Sequence, residues 1–496
     1  MRGVLISSYI LIISIILFLI SALYSYYNTG ADRSEMLHTD VKRTERYLPK
    51  MIWKEDGNMG RTVDKQILKS IETDYLDAWY VKHIANKTNL KNGLHDYYTK
   101  SARKNIFNFI DFNKKERITI ESTTLEHRPN ILFFSEDGQL VVLEDTHVVE
   151  YKKILRDNKK IHETTEIATY KIILLLEDGF WRIRHLVKER VANFDKTVTS
   201  SPIDSLNIKG INYYPQATPW NMFSDDFDIK VIETDFKIIK NADLNTIRIF
   251  IPYEDFGKAN VDQNKLEKLK KILDSAEKSN LKVVVTLFDF YGDYGVLDWT
   301  LNHRHAETIV TRFKDHKAIL AWDLKNEPNL DFESRGKENV ISWLEHLIIL
   351  IKSIDKNHAV TIGWSNAESA PILKDKLDFV SFHYYEKISE FEGVFELLQS
   401  KIIHKPIVLG EFGVSSYTGF WKPFGGSEKK QATYYKKMQK ILTKKKISFM
   451  SWTLYDFDTV PEKVVGKRPW RVNTQKKFGF INTKGDRKPA FEFICK

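Results

Sequence analysis

From Ile208 onward, short apolar runs alternate with amphipathic stretches. The runs are Ile208–Tyr213, Thr246–Ile251, Lys282–Phe288, Ile319–Leu324, Ala359–Trp364, Phe379–Phe382, Ile407–Leu409 and Phe449–Leu454. Each is too short for a helix. The segments between them carry a helical period, as where Leu266, Leu269, Ile272, Leu273 and Ala276 share one face. Strands alternating with helices predict a parallel sheet. Eight strands close a (β/α)8 TIM barrel, and residues 208–496 supply the length that barrel needs. A doubly wound open sheet is the alternative. Against it, Asn212-Tyr213-Tyr214-Pro215 stands after the first run, where a dinucleotide fold would place a glycine-rich phosphate loop.

The pattern before residue 196 differs. Ile67, Leu68, Ile71, Tyr75, Leu76 and Trp79 predict one helix, and a second is expected over Asp96–Ile110. Alternating strand signals follow. They are punctuated by Asp137-Gly138, Asp157-Asn158 and Asp178-Gly179, and Asp-Gly between apolar runs is the strongest local hairpin signal. Helices first and an antiparallel sheet afterwards make an α+β unit over residues 62–195. This order, with its closing Asp-Gly-Phe-Trp-Arg-Ile hairpin, resembles the nuclear-transport-factor-2-like cone fold. Asp96, His147 and His162 are possible pocket groups there, although isolated residues of these types are more often surface groups. Polar, irregular stretches at 29–61 and 196–207 read as linkers.

Val4–Tyr27 contains no charged residue and is rich in Ile and Leu, with Tyr24, Tyr26 and Tyr27 where an interfacial belt would lie. A transmembrane anchor over residues 1–28 is expected. The competing reading is a cleaved signal peptide, against which the apolar run is long and Ser21-Ala22-Leu23 is a poor cleavage site. Arg2 precedes the run, and Asp32, Arg33 and Glu35 follow it. This places the N-terminus in the cytoplasm and the rest outside, as a single-pass protein of the cell membrane. The net charge of +10 is spread over helices that also carry Glu and Asp, and no nucleic-acid-binding motif accompanies it. Nucleic acid is therefore not an expected partner. The one cysteine, Cys495, rules out an intrachain disulfide.

The chemistry gathers at the C-terminal ends of the predicted barrel strands, where such barrels place their active sites. Tyr213 ends the first, Arg248 lies in the second, and Asp289 and Tyr291 follow the third. Asn326-Glu327-Pro328 follows the fourth, Trp364 ends the fifth, and His383-Tyr384-Tyr385 follows the sixth. Gly410-Glu411-Phe412-Gly413 closes the seventh, and Trp452 lies on the eighth. A glutamate at a strand end is more often structural than catalytic. Two of them facing each other across one barrel mouth are what acid–base cleavage of a glycosidic bond requires. No His spacing has metal-ligand character, so neither a metal nor another cofactor is expected.

Arg248, Asn326-Glu327-Pro328, His383-Tyr384-Tyr385, Gly410-Glu411-Phe412-Gly413 and Trp452 together resemble clan A of the retaining glycoside hydrolases, most closely the cellulase family 5, over about residues 206–496. The resemblance implies Glu327 as general acid/base and Glu411 as nucleophile. It implies Asn326 on the sugar 2-hydroxyl and Arg248 as charge partner of Glu411. Tyr385, or its neighbour Tyr384, would bond the nucleophile, His383 would line the site around the acid, and Trp452 would stack under the sugar. Tyr213, Asp289 and Trp364 are further substrate-binding candidates at the same rim. One departure stands out. The family usually carries a His after the third strand, where this chain has Asp289-Phe290-Tyr291; either Asp289 or Tyr291 replaces it, or the chain belongs to a neighbouring branch of the clan. Trp299, Trp421 and Trp470 would either extend a sugar cleft or pack. The expected function is a membrane-anchored retaining β-glycosidase of the endo-β-glucanase or β-mannanase type, acting on an extracytoplasmic polysaccharide. The alternatives are a transglycosylase and a non-catalytic carbohydrate-binding subunit of a polysaccharide synthesis or export complex.

Overall fold

The computed structural model describes residues 9, 11–21, 46–54, 58–194, 206–420 and 423–495. The expected anchor and its tyrosine belt fall largely outside this set, as do residues 196–205 of the second linker and Trp421. Residues 11–21 are helical and exposed. Among the described residues, no helix is long and apolar enough to cross a membrane.

The N-terminal unit opens with β1 (Lys50–Met51) and α1 (Lys65–Thr88). Asp64 caps α1 by accepting from the amides of Gln66 and Ile67 at 2.9 and 2.8 Å, and Asn89 ends the helix in the left-handed conformation. The expected helix over 96–110 is two pieces, α2 (Leu94–Tyr97) and α3 (Lys100–Lys115). Buried Tyr98 is extended between them and donates its hydroxyl to the Ala78 carbonyl, while Thr99 caps α3. A β-branched residue with a side-chain acceptor begins a helix better than it continues one.

Five strands follow: β2 (Ile118–His127), β3 (Pro129–Phe134), β4 (Leu140–Arg156), β5 (Lys159–Glu177) and β6 (Phe180–Asn193). The sheet order is β1-β2-β4-β5-β6, with β3 paired to β4. Asp157-Asn158 and Asp178-Gly179 have positive φ at both positions, as type I′ hairpin turns demand. Bulges at Asp145/Val148 and Thr169/Tyr170 bend the long strands, and one face buries Val141, Leu143, Val148, Ile172 and Leu174 together with Tyr75 and Trp79 of α1.

The first linker ends earlier than the sequence led us to expect. Tyr47 is fully buried, its hydroxyl bonded to Thr124 Oγ1, and Lys50–Met51 pairs in parallel with the end of β2. The reason is chemical. Tyr47 offers a large apolar ring to the interior of the sheet and a hydroxyl to a polar chain already there, in which Thr124 bonds His127 at 2.7 Å and His127 bonds Asp145 at 2.7 Å. Of the His and Asp residues proposed from sequence as pocket groups, Asp96 is half-buried, His162 is exposed and His147 stands 3.9 Å from Glu126. The buried titratable groups of this unit include His83, His127, Asp145 and Glu150 instead.

The second unit is a closed barrel of eight parallel strands: β7 (Lys209–Asn212), β8 (Thr246–Pro252), β9 (Lys282–Asp289), β10 (Ile319–Asn326), β11 (Ala359–Trp364), β12 (Val380–Tyr384), β13 (Ile407–Phe412) and β14 (Ser448–Trp452). Closure removes the doubly wound alternative. The outer layer is α4 (Ile229–Asn241), α5 (Gln263–Lys278), α6 (Trp299–Phe313), α7 (Phe332–Arg335), α8 (Lys337–Ile354), α9 (Ile388–Lys401) and α10 (Glu428–Lys445). Between β11 and β12 a 3-10 turn, Lys374–Lys376, replaces the helix. After β14 come two short helices, α11 (Glu462–Val465) and α12 (Pro469–Gln475). The barrel floor is apolar, with Ile208, Val284, Ala321, Ala359, Phe379, Val408 and Met450 in one cluster. The polar residues of the strands lie above it.

The two units meet at α6. Tyr151 of β4 lies against Trp299, ring centroids 4.3 Å apart, so Trp299 packs at this junction and extends no cleft. The Leu48 amide donates to Thr300 Oγ1 at 2.9 Å, Arg304 donates to the Leu48 and Pro49 carbonyls, and Lys50 pairs with Glu307. Tyr47→Ala should therefore lower the stability of the folded chain by about 3–5 kcal/mol, the usual cost of removing a buried aromatic ring. Urea denaturation would measure it, and an unchanged midpoint would show that residues 46–54 are not part of the fold.

Candidate active site

Arg248 of β8 lies at the centre of the mouth and is 2% exposed. A guanidinium this deep must satisfy its donors within the protein. Nε and Nη2 donate to Asp323 Oδ2 of β10 at 3.0 and 2.6 Å. Nη2 also donates to Asn326 Oδ1 at 3.0 Å. Nη1 donates to Asn212 Oδ1 at 3.0 Å and to Glu411 Oε2 at 3.4 Å. Asp323 is itself fixed by Thr286 Oγ1 at 2.7 Å and by the Gly363 amide at 2.9 Å. Phe250 supports the guanidinium from its face at 4.6 Å.

Two glycines make room for this hub. A Cβ on Gly363 would stand 2.6 Å from Arg248 Nη2 and 3.2 Å from His383 Nε2. A Cβ on Gly410 would stand 2.1 Å from Ser381 Oγ. The strands can bring these polar side chains together only where their neighbours lack one.

Glu327 follows β10 with φ 50° and ψ 48°, its amide donating to the Gly363 carbonyl at 2.7 Å. A non-glycine residue in this region stores about 1–3 kcal/mol of strain, which the surrounding bonds must hold. His383 Nδ1 lies 3.0 Å from Glu327 Oε1 and 3.8 Å from Glu411 Oε2. One oxygen of each glutamate and a His383 nitrogen all lie within 4.8 Å of one another. Tyr385 donates its hydroxyl to Glu411 Oε1. The donor set Glu327, His383 and Glu411 has the composition of a cation site, but the guanidinium beside Glu411 opposes a second positive charge.

Burial raises the Glu411 carboxyl above its ordinary pKa, and the nearby Glu327 carboxylate adds to that, while His383, Arg248 and the Tyr385 hydroxyl pull it back down.

Above them opens a cavity of about 630 Å³. Asp289, Asn326, Glu327, Tyr385, Glu411 and Trp452 line it, while Arg248 and His383 lie beneath, bonded to the carboxylates. Two sequence-derived candidates do not reach it. Tyr213 is fully buried and donates its hydroxyl to Asp235 at 2.7 Å. Its neighbour Tyr214 lines the cavity instead. Trp364 is fully buried against Phe332, because Gly363 takes the inward position of β11 and the next residue must face outward. Of the stand-ins for the third-strand His, Asp289 lines the cavity and accepts from Tyr214 at 3.3 Å, whereas Tyr291 bonds Asn302 and stacks on Trp343. Tyr384 bonds the Lys387 carbonyl and leaves Glu411 to Tyr385. Sequence reasoning missed Asp323, Asn212, Trp220, Phe250, Phe290 and Lys463. Asp323 was legible as a charge inside an apolar run, Ile319 to Leu324.

The family model "Cellulase (glycosyl hydrolase family 5)" matches residues 204–458, slightly over half of the chain. The chain belongs to that family. Mannan endo-1,4-beta-mannosidase A of Emericella nidulans is 26% identical over 173 residues, covering 28% of this chain and 44% of the relative. Mannan endo-1,4-beta-mannosidase 3 of Arabidopsis thaliana is 22% identical over 227 residues, covering 32% of this chain and 55% of the relative. The chain thus spans about half the length of these curated relatives. Among solved structures, the exo-beta-1,4-mannosidase Op5Man5 from Opitutaceae bacterium strain TAV5 is similar at a TM-score of 0.48 and 16% identity, over 57% of each chain.

A raised carboxyl pKa makes the folded family-5 barrel hold its proton more tightly than the unfolded chain does. The stability linked to Glu411 is therefore full at acid pH and is lost as pH climbs from the ordinary carboxylate range through the raised pKa. Glu411→Gln should remove that loss, making the variant's advantage in melting temperature over the parent grow with pH across this window. A pH-independent difference between the two melting curves would show that Glu411 carries no such linkage.

Proposed function

We propose that this family-5 chain is a retaining β-glycoside hydrolase. The observation that carries the reading is the separation of the two glutamates, whose nearest oxygens lie within 4.8 Å. Retaining enzymes hold their carboxyl groups about 5–5.5 Å apart, whereas inverting enzymes leave about 6.5–9.5 Å for a water. Glu411 attacks the anomeric carbon while Glu327 protonates the departing oxygen. The resulting glycosyl-enzyme is opened by a water that Glu327 deprotonates. One proton on the pair serves this chemistry. Held on Glu327, it leaves Glu411 ionised under Arg248 and Tyr385. Asn326 spends its carbonyl on Arg248 and so turns its amide to the sugar hydroxyl beside the reacting carbon.

The substrate we propose is a β-mannan-type polysaccharide, a reading supported by the mannanases among the relatives. The presence of both carboxylates speaks against a non-catalytic binding subunit. Glu327→Gln and Glu411→Gln should each lower hydrolysis by at least ~10²-fold, the lower end of general acid–base contributions. An activated 2-fluoro-mannoside should leave a sugar mass on the peptide containing Glu411. Full activity in either variant, or an adduct on another residue, would overturn the assignment.

The uncharged run Val4–Tyr27 supports an uncleaved anchor with the barrel outside the membrane. Protease added to intact cells should then remove the barrel from a membrane-bound N-terminal fragment. Protection of the barrel until lysis would place it on the other side.

A further inference from the structure

We propose that the contact between Lys463 and Phe290 closes the glycone end of the cavity, so that the protein removes sugars from the non-reducing end of its substrate instead of cutting within the chain. The inference rests on the hydrolase reading above and departs from the endo mode expected from sequence. Lys463 Nζ sits 4.3 Å from the centroid of the Phe290 ring, and both residues line the cavity.

Their positions in the barrel give the contact its meaning. Phe290 follows β9 and Lys463 belongs to α11, which follows β14. The strands run in the order β14-β7-β8-β9 around that side of the barrel. A contact joining the two loops therefore spans the sector above β7 and β8, where Tyr214, Trp220 and Phe250 line the cavity.

Both ends of the bridge are held. Phe290 has φ 60°, an uncommon conformation for a bulky residue, and it stands beside the position where the family usually places a His. On the other side Gly466 donates its amide to the Glu462 carbonyl at 2.7 Å, Glu462 pairs with Lys467 at 3.2 Å, and Val464 packs against the barrel core. Val464 and Val465 continue the wall beside Lys463.

The segment after β10, the strand that pairs with β9 on the far side of Phe290 from β8, differs. Leu330 and Ser334, on the segment after Glu327, also line the cavity, and Leu330 is 55% exposed. The direction of the chemistry assigns the two sides. The departing sugar must lie beside the acid Glu327, and hence toward Leu330. The sugar attacked by Glu411 lies over Trp452, beside Tyr214 and Trp220. The closed sector thus holds the non-reducing end, and the remaining polymer leaves over the segment after β10.

The test uses the full-length protein with β-1,4-mannohexaose and cellohexaose, each labelled at its reducing end. Stepwise shortening of the labelled chain, with short unlabelled sugars released from the first time point, is the expected result. Early labelled products of all lengths would overturn the inference and leave the hydrolase reading standing. No cleavage of either substrate would overturn both. Lys463→Ala removes an exposed side chain, and Phe290→Gly suits the positive φ while deleting the ring. The double variant should raise the share of internal cleavage several-fold, and an unchanged product ladder would show that this contact does not set the mode of attack.

Discussion

The mouth of the barrel depends on one buried ion pair, Arg248 with Asp323. Removing two such charges from water costs several kcal/mol per ion even after relaxation, and only close, multiply bonded geometry recovers that cost. The geometry is present, with both Nε and Nη2 on one Asp323 oxygen and the other oxygen on the Gly363 amide. Once the guanidinium is fixed, it determines what surrounds it. Asn212 and Asn326 must present their carbonyl oxygens, β11 must carry a glycine opposite Asn326, and Glu411 must approach from β13. The backbone strain at Glu327 is tolerable for the same reason, because its amide is tied to the carbonyl of Gly363.

Much of this was legible in the chain. The barrel could be read because its strands are buried on both faces and appear as near-continuous apolar runs. The two glutamates could be read because each closes such a run. What could not be read is which of two adjacent residues faces inward at a strand end. Tyr213 against Tyr214 and Gly363 against Trp364 differ by one position, and in a strand one position exchanges the two faces. Trp220, Phe290 and Lys463 were invisible for another reason. Trp220 and Phe290 stand on loops and Lys463 on a single helical turn, where no period links sequence to direction. Tyr47 was hidden inside a polar stretch, and its burial is explained by its ring contacts with Tyr80 and His83 together with the bond between its hydroxyl and Thr124.

The first unit and the barrel share more than a covalent connection. One short segment, residues 47–51, bonds the interior of the sheet through Tyr47, extends the sheet through Lys50 and Met51, and bonds α6 through Leu48, Pro49 and Lys50. Anything that pulls on the chain before Tyr47 therefore acts on both units at once. The barrel's α6 begins at Trp299, on the connection that leaves β9 and carries Phe290. The N-terminal unit thus supports the outside of the connection whose inner side forms one wall of the cavity.

The same ion pair bears on the reactivity of Glu411. A carboxylate bonded bidentately to an unshared arginine would be held far below its ordinary pKa and would be a correspondingly weak nucleophile. Here Asp323 takes the shorter contact at 2.6 Å, and the Arg248–Glu411 bond is 3.4 Å. Burial and the neighbouring Glu327 then outweigh the remaining attraction, and the Glu411 pKa is raised, not lowered. Asp323 thus draws Arg248 toward itself and weakens the hold of the guanidinium on the Glu411 carboxylate. Under the proposed function, a proton held on Glu327 would make that carboxyl the acid and leave the other free to attack.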